Sequence, residues 1–428
     1  YTQRRDKAAL ENQIQDATFG QSYGFEFGLL KNPNNQLKGK TTYRILDVNN
    51  NELYQDDPEE NLISRLEYTL RLLKGGLTSN SFYEIGSGLE ERIEYVYIEV
   101  SAGQGTYTWI DYNDNGIKEQ NEFQVAIYSD QANYERVTLT TNDFIQVYNN
   151  QFNQVFLIQP EKFLNSDKGL GKIVSKFSDQ LAYRIERNTQ REEDLNRFNP
   201  FYTSIADSNL VSITSSFRNT VYFNQNHPKF GVEFTVQENA SKQLQTTGFD
   251  GNQQRYQTSD VRYNINREFQ LNLGGTTGTR KSQSELYNSQ NYTIDYFEIN
   301  PRLTYQPKPS FNLTAGYEYD EMQNIEIESD NEFSSQHTMS LELKWNQVGK
   351  GSLNLTGRFL IIEFTGNATD PIAYDMLQGL LPGNNGTWEV YYQRNLGNNL
   401  QMTLTYAGRK SENTDFIHTG GVQVRAYF

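Results

Sequence analysis

Apolar and polar residues alternate one for one over stretches of roughly 10–15 residues, repeatedly, through the second half of this chain. Met339, Leu341, Leu343 and Trp345 fall on one side of such a stretch, against Ser340, Glu342, Lys344 and Asn346. Phe311, Leu313, Ala315, Tyr317 and Tyr319 repeat the pattern, as do Phe230, Val232, Phe234 and Val236, and Leu400, Met402, Leu404 and Tyr406. A period of two is the side-chain period of a β-strand. Strands of soluble domains average about 5–6 residues, whereas a tilted strand crossing a bilayer needs about 9–11. The length of the alternation therefore points to sheet-built membrane crossing. The polar side carries many charges, among them Arg184, Arg262, Arg302, Arg358, Glu233, Glu318, Glu389 and Arg425.

The alternating stretches are spaced by a rhythm. Tight turn-like clusters stand at 224–228, 264–268, 306–310, 346–351 and 395–399, about 41 residues apart, with the last interval stretched to about 49. Longer polar segments lie between them. Short turns alternating with long loops predict an antiparallel up-and-down meander trimmed at one end and elaborated at the other. Counting back from the C-terminus gives about 17 candidate strands. Because bacterial single-chain barrels are usually even-numbered, the expectation is a transmembrane antiparallel up-and-down β-barrel of about 16–18 strands, with 14 as the alternative. Residues 4–17 read as a short helix. The expected organisation is an N-terminal helical segment over 1–20 and a barrel over 21–428 that includes a loop insertion at 101–140.

Composition removes other classes. The most apolar stretch, "FLIIEF" at 359–364, is already broken by Glu363 and falls far short of a membrane-spanning length, so no transmembrane helix is expected. A net charge of −15 argues against nucleic acid as a partner. With no Cys, disulfides, thiolate chemistry and iron–sulfur clusters are excluded. The chain opens at Tyr1 with neither Met nor a signal peptide, and is expected to be a processed protein or the barrel portion of a longer one.

At the C-terminus, "GGVQVRAYF" alternates Val422, Val424, Ala426 and Phe428 against Gln423, Arg425 and Tyr427, and stops on an aromatic. This stretch resembles the terminal strand of Gram-negative outer-membrane β-barrels, which the assembly machinery reads. The resemblance implies a bacterial outer-membrane location, with lipid and the barrel assembly machinery as partners. It also implies a periplasmic C-terminus, periplasmic tight turns and extracellular long loops.

One loop is chemically distinctive. "DYNDNGIKEQNE" (111–122) fits the spacing D-x-N-x-N-G-x5-E. Side chains of Asp111, Asn113, Asn115 and Glu122 occupy positions 1, 3, 5 and 12 of a calcium loop, and Gly116 the sharp turn at 6. Ile117 would offer its carbonyl, and Glu119 would ligate directly or through water. All-oxygen ligands ending in a bidentate Glu suit Ca²⁺ over Mg²⁺. Asn/Asp/Gly-rich turn chemistry is the alternative reading, and the full spacing with its terminal Glu favours calcium. No helix is expected on either side. The run from Trp109 through Phe123, with "DQANYERV" at 130–137, resembles segments in outer loops of large Bacteroidota surface barrels.

No enzymatic constellation is expected. His337 stands near Ser334, Ser335 and Ser340, but a solvated loop histidine is the simpler reading. His227 lies in a tight turn, and His418 near the end of the last strand. The acidic runs 56–61 and 328–332 read as solvated loops, and "GLGKIVSKF" (169–177) lacks phosphate-loop spacing. Three functions remain: a structural, docking or assembly subunit of a surface complex, a porin-like pore, or a surface adhesin. Mixed lumen charges and large loops favour the first. The insertion at 366–386 is unusual because it is apolar. Ala373, Met376, Leu377 and Leu380 share a helical face, between Pro371 and Pro382-Gly383. Such a helix is expected to narrow the barrel mouth or to dock a protein partner.

Overall fold

The computed structural model describes every residue except 11–12, 55–58, 165–167, 191–197, 203–206, 247, 327–330, 398 and 428. Among the described residues, twenty strands run up and down in one antiparallel sheet. They are β1 (Thr2–Leu10), β2 (Gln13–Asn32), β3 (Asn35–Val48), β4 (Glu59–Leu72), β5 (Leu77–Glu99), β6 (Tyr107–Trp109), β7 (Phe123–Val125) and β8 (Tyr134–Ile158). There follow β9 (Phe177–Thr189), β10 (Leu210–Phe223), β11 (Phe230–Gln245), β12 (Gly248–Asn264), β13 (Phe269–Ser284) and β14 (Tyr292–Lys308). The series closes with β15 (Phe311–Asn324), β16 (Phe333–Gln347), β17 (Gly351–Thr365), β18 (Gly383–Gly397), β19 (Leu400–Lys410) and β20 (Ile417–Ala426). The α-helices among the described residues are α1 (Gly169–Val174) and α2 (Pro371–Met376). Neither is long and apolar enough to cross a membrane.

Twenty strands exceed the sixteen to eighteen expected. Three account for the excess over the seventeen candidates. β6 and β7 are three-residue strands inside the 101–140 insertion. The third is β1, which takes residues read from sequence as a helix. Instead of a helix over 4–17, β1 and β2 form a hairpin in register from Thr2↔Ser22 to Leu10↔Gln13, with a bulge between Asp6 and Lys7. An isolated helix of that length is marginal in water. Pairing with β2 satisfies the backbone directly, and Lys7 meets Asp16 across the pair at 3.4 Å.

The chain divides into two compact units. The first comprises 1–93, 140–221 and 237–251. Here Gln154 on β8 bonds Ser79 and Ser81 of β5, at 3.0 and 2.5 Å. Phe201 stacks on Tyr183 and meets Phe152 edge-on. The second comprises 94–139, 222–236 and 252–428. Most of its strands pair over long registers, with bulges in β14–β15 near Tyr305 and in β18–β19 near Asn395. Phe311, Leu313, Ala315, Tyr317 and Tyr319 of β15 face Trp345, Leu343, Leu341, Met339 and His337 of β16. These in turn face Leu353, Leu355, Gly357, Phe359 and Ile361 of β17. Directly opposed residues lie on the same side of a pleated sheet, so the apolar residues make one continuous face. That face is open: Met339 and Leu341 are 56% and 55% exposed. From His337 to Trp345 the band runs about 26 Å along the strand.

The other face is polar over most of its length. Glu342 stands between Thr314 and Thr356, and Arg358 opposite Ser340. Toward the loop end it turns apolar, with Leu360 and Ile362 on β17, Ile294 on β14 and Met322 on β15 all buried. The run "FLIIEF" marks this change, because both faces of β17 become apolar there. The buried apolar core of the second unit sits at this end, around α2.

Candidate functional site

The site is built from α2 and the 101–133 segment, both within the second unit. Asp370 occupies the N-cap position of α2 and Pro371 its first turn, where proline's fixed φ suits a helix start. The helix stops at Met376, short of the Pro382-Gly383 stop expected from sequence. Gln378 and Gly379 take left-handed conformations, φ +53° and +66°, and turn the chain back. Leu377 and Leu380 therefore lie past the helix, on its turn. They still share its apolar side. Ala373 and Met376 are fully buried, and Leu377 and Leu380 almost so. Ala373, Leu377 and Leu380 pack against Leu360 and Ile362. Met376 and Ile372 pack against Ile294 and Met322.

Polar contacts fix the wedge. Asp375 accepts two hydrogen bonds from Arg280 of β13, at 2.9 and 2.7 Å. Gln336 of β16, itself buried, donates to the Met376 carbonyl at 2.6 Å. The Tyr374 hydroxyl accepts the Ile127 amide at 3.2 Å, tying α2 to the 101–133 segment. Burial raises the phenol pKa of Tyr374. Tyr128 packs on the α2 cluster, with the Arg409 guanidinium 4.3 Å from its ring. Burial pushes the Tyr128 phenol up to about 12, opposed by that guanidinium. Arg409 also pairs with Asp130. Next to this assembly is a cavity of about 620 Å³. Arg302, Glu318, Glu342, Arg358 and Glu389 line its strand side, and Ile127–Asp130 with Gln378 its loop side.

The 111–122 loop lies between β6 and β7, which pair Tyr107↔Val125 to Trp109↔Phe123 and close it as a hairpin. Asp111 accepts the amides of Asn115 at 3.2 Å and Gly116 at 2.8 Å. Asn113 and Asn115 cap the amides of Asn115 and Ile117. Gly116 holds φ +71°, the left-handed turn the spacing demands. The Ile117 side chain is exposed. Glu119 caps a short 3-10 turn over Gln120–Glu122 and accepts the Asn113 amide at 2.7 Å. Glu122 is fully buried. Its Oε2 accepts Trp109 Nε1 at 2.8 Å, while its Oε1 has no hydrogen-bond partner among the described residues. A buried carboxylate oxygen left bare is costly and fits a hard cation. Among the described residues no three His, Cys, Asp or Glu side chains gather at one point. Asp111, Glu119 and Glu122 are therefore not brought together as a set of three carboxylates.

Val422, Val424 and Ala426 face Leu404, Met402 and Leu400 across the β19–β20 pair, on the open apolar side. Phe428 lies outside the described residues. His337 is a strand residue, contrary to the loop position read from sequence. It sits on the apolar face with Nδ1 2.7 Å from the Tyr317 hydroxyl. Sequence reading missed Arg280, Tyr128, Asp130 and Arg409. For the two arginines, which share the polar face, the strand parity was available as a signal.

No family model and no curated protein matches this chain. Among solved structures it is similar to the ferric enterobactin receptor PfeA in complex with BCV-L6, at 9% identity and TM-score 0.32. That alignment covers 91% of this chain and 64% of the receptor, so the chain spans under two thirds of the receptor's length. It is also similar to the translocation pore of the P pilus usher PapC, at 7% identity and TM-score 0.18, over 96% of this chain and 95% of the usher chain. At these scores neither likeness bears on function.

Proposed function

We propose that the chain is a bacterial outer-membrane β-barrel protein acting as a docking or assembly subunit, with its outer opening stoppered by its own loops. Closure of the meander into a barrel, the outward direction of the long loops and the periplasmic C-terminus are parts of this proposal. Its main support is the two-faced sheet of the second unit. A band of Met339, Leu341, Phe359 and Ile361 lies open, while the opposite face carries paired charges and a buried wedge. In water such a band would be a large unsatisfied apolar patch, whereas in lipid it is the solvent-matched side. Leu404, Met402 and Leu400 carry the band to Val422, Val424 and Ala426, the strand proposed as the assembly signal. Calcium at Asp111, Asn113, Asn115, Ile117, Glu119 and Glu122 would rigidify the hairpin against which α2 rests. The bare Glu122 oxygen supports that assignment. The partner is a protein bound at the outer loops.

The second reading is a gated pore. It is favoured by the cavity of about 620 Å³ beside the wedge, whose mixed charges suit an aqueous lumen. Single-channel recording on refolded protein separates the two. A closed baseline that persists supports the stoppered subunit, and steady open conductance supports the pore. Ready solubility as a monomer without detergent, and migration on gels unchanged by boiling, would refute the barrel itself.

A further inference from the structure

The cavity of about 620 Å³ lies wholly within the second unit, between the polar face of β14 to β20 and the stretch 127–130 with Gln378. Across that face Arg302 of β14 stands opposite Gly316, Gly316 opposite Ser340, and Ser340 opposite Arg358 of β17. The two arginines thus sit on one row, three strand spacings or about 14 Å apart at the backbone, with only small residues between them. Glu318 is the diagonal neighbour of Arg302 toward the loops, and Glu389 that of Arg358 toward the turns. Diagonal neighbours lie about 7–8 Å apart, within reach of long side chains. Neither diagonal closes. Among the described residues, none of these four side chains makes an ion pair or a hydrogen bond, although both arginines act electrostatically on Glu318. The other carboxylates of the lining are paired, Asp130 with Arg409 and Glu342 with Lys344.

We propose that the cavity binds a short peptide with free termini, about three residues long. Its carboxylate lies over Gly316 and Ser340, clasped from both sides by Arg302 and Arg358, and its ammonium lies on Glu389. Two long guanidinium side chains on one row, with low residues between them, converge on a single carboxylate, the partner that arginine's fork matches best. From that point Glu389 is two to three strands away and one pleat repeat toward the turns, a gap that three extended residues of about 10 Å bridge once the glutamate side chain reaches in. A neutral saccharide would leave all four charges unanswered, and a plain anion would leave Glu389 so. Glu318 beside the clasp holds down its net charge and so selects against simple anions. The volume suits a ligand of this size, since small-molecule sites run to about 300–1,000 Å³. This goes beyond the docking role and holds for a stoppered subunit and a pore alike.

The test is calorimetric titration of the full chain, refolded in an uncharged polyoxyethylene detergent, with trialanine, N-acetyl-trialanine, trialanine amide and maltotriose. Boiled and unboiled gel migration is followed in parallel. Trialanine should bind, acetylation or amidation should each weaken it about tenfold or more, and maltotriose should give no heat. Arg358→Gln should weaken trialanine and its acetylated form alike, by about tenfold. Glu389→Gln should weaken trialanine by as much and leave the acetylated form unchanged, a split that mere damage to the fold would not produce. Glu318→Gln should tighten the acetylated form. Equal binding of free and acetylated trialanine overturns the assignment of Glu389 and with it the peptide. Binding of maltotriose as tight as that of trialanine overturns it in favour of a saccharide. If trialanine gives no heat while migration still changes on boiling, the peptide site is refuted and the barrel stands. If the predicted pattern of heats arises while migration never changes on boiling, the site stands and the barrel falls.

Discussion

The two helices are the same length and have nearly the same apolar spacing, yet they meet opposite surroundings. In α2 and its turn, Ala373, Met376, Leu377 and Leu380 are buried on strand residues. In α1, Leu170 and Ile173 face outward with lysines between them. The difference is one of what the adjoining strand offers. β17 presents Leu360 and Ile362 to α2, so its helix finds a partner within the chain. In α1, Leu170 and Ile173 stay exposed instead. An amphipathic pattern therefore marks a face, and the fold decides whether that face is covered.

The largest expected effect breaks the buried side. Met376→Ala should cost about 2–5 kcal/mol of stability in the second unit, read as the denaturant midpoint of heat-modifiable migration. Leu170→Ala in α1 should change the same midpoint by less than about 0.5 kcal/mol. Equal effects would remove the contrast between the helices. Deleting 371–382 carries the same break further: it should raise conductance if the wedge narrows a lumen, or abolish co-purification of a protein partner if it forms a docking surface. No change in either would make the segment a tolerated insertion.

Next comes the parity of the sheet on which α2 rests. Leu341→Arg should cost about 2–4 kcal/mol at the middle of a bilayer, whereas Glu342→Gln, on the polar face, should be mild. Similar costs in refolding titrations would mean that the two faces are misassigned. Smaller still is the polar latch. Arg280→Ala should cost about 1 kcal/mol, since the Arg280–Asp375 pair is only partly exposed and one Arg280 nitrogen, Nη1, donates to both carboxylate oxygens. It should speed protease cleavage within 366–386. Unchanged cleavage would place all of the docking in the apolar contacts.

The smallest effect concerns calcium. At millimolar calcium, a site of the affinity usual for extracellular modules adds about 0.4–1.4 kcal/mol to the loop. Calcium should slow proteolysis of 101–140, chelator should reverse this, and Glu122→Gln should abolish the protection without altering gel migration. A cleavage pattern indifferent to chelator would end the calcium assignment and leave the loop held by its own side-chain caps, the Lys118–Glu99 ion pair and the β6–β7 pairing.

Much of the architecture was legible in the residues themselves. Period-two alternation placed β13 to β20 closely, because an extended backbone must point successive side chains to opposite faces. The tight turns at 224–228, 264–268 and 346–351 announced themselves through Asn, Gly and Pro. The start of α2 at Pro371 and the closed geometry around Gly116 were local matters too, set by φ preferences and side-chain capping within a few residues. The tertiary structure decided what depended on partners distant in sequence. It turned 2–10 into a strand, because β2 was there to pair with it. It ended α2 at Met376, where Gln378 and Gly379 could turn left-handed over β17. It brought Arg280 to Asp375 and Arg409 to Asp130, pairs that no local spacing links. Hydrogen-bond register and helix punctuation are short-range and written in sequence. Burial is a relation between segments, and only the folded chain fixes which segments meet.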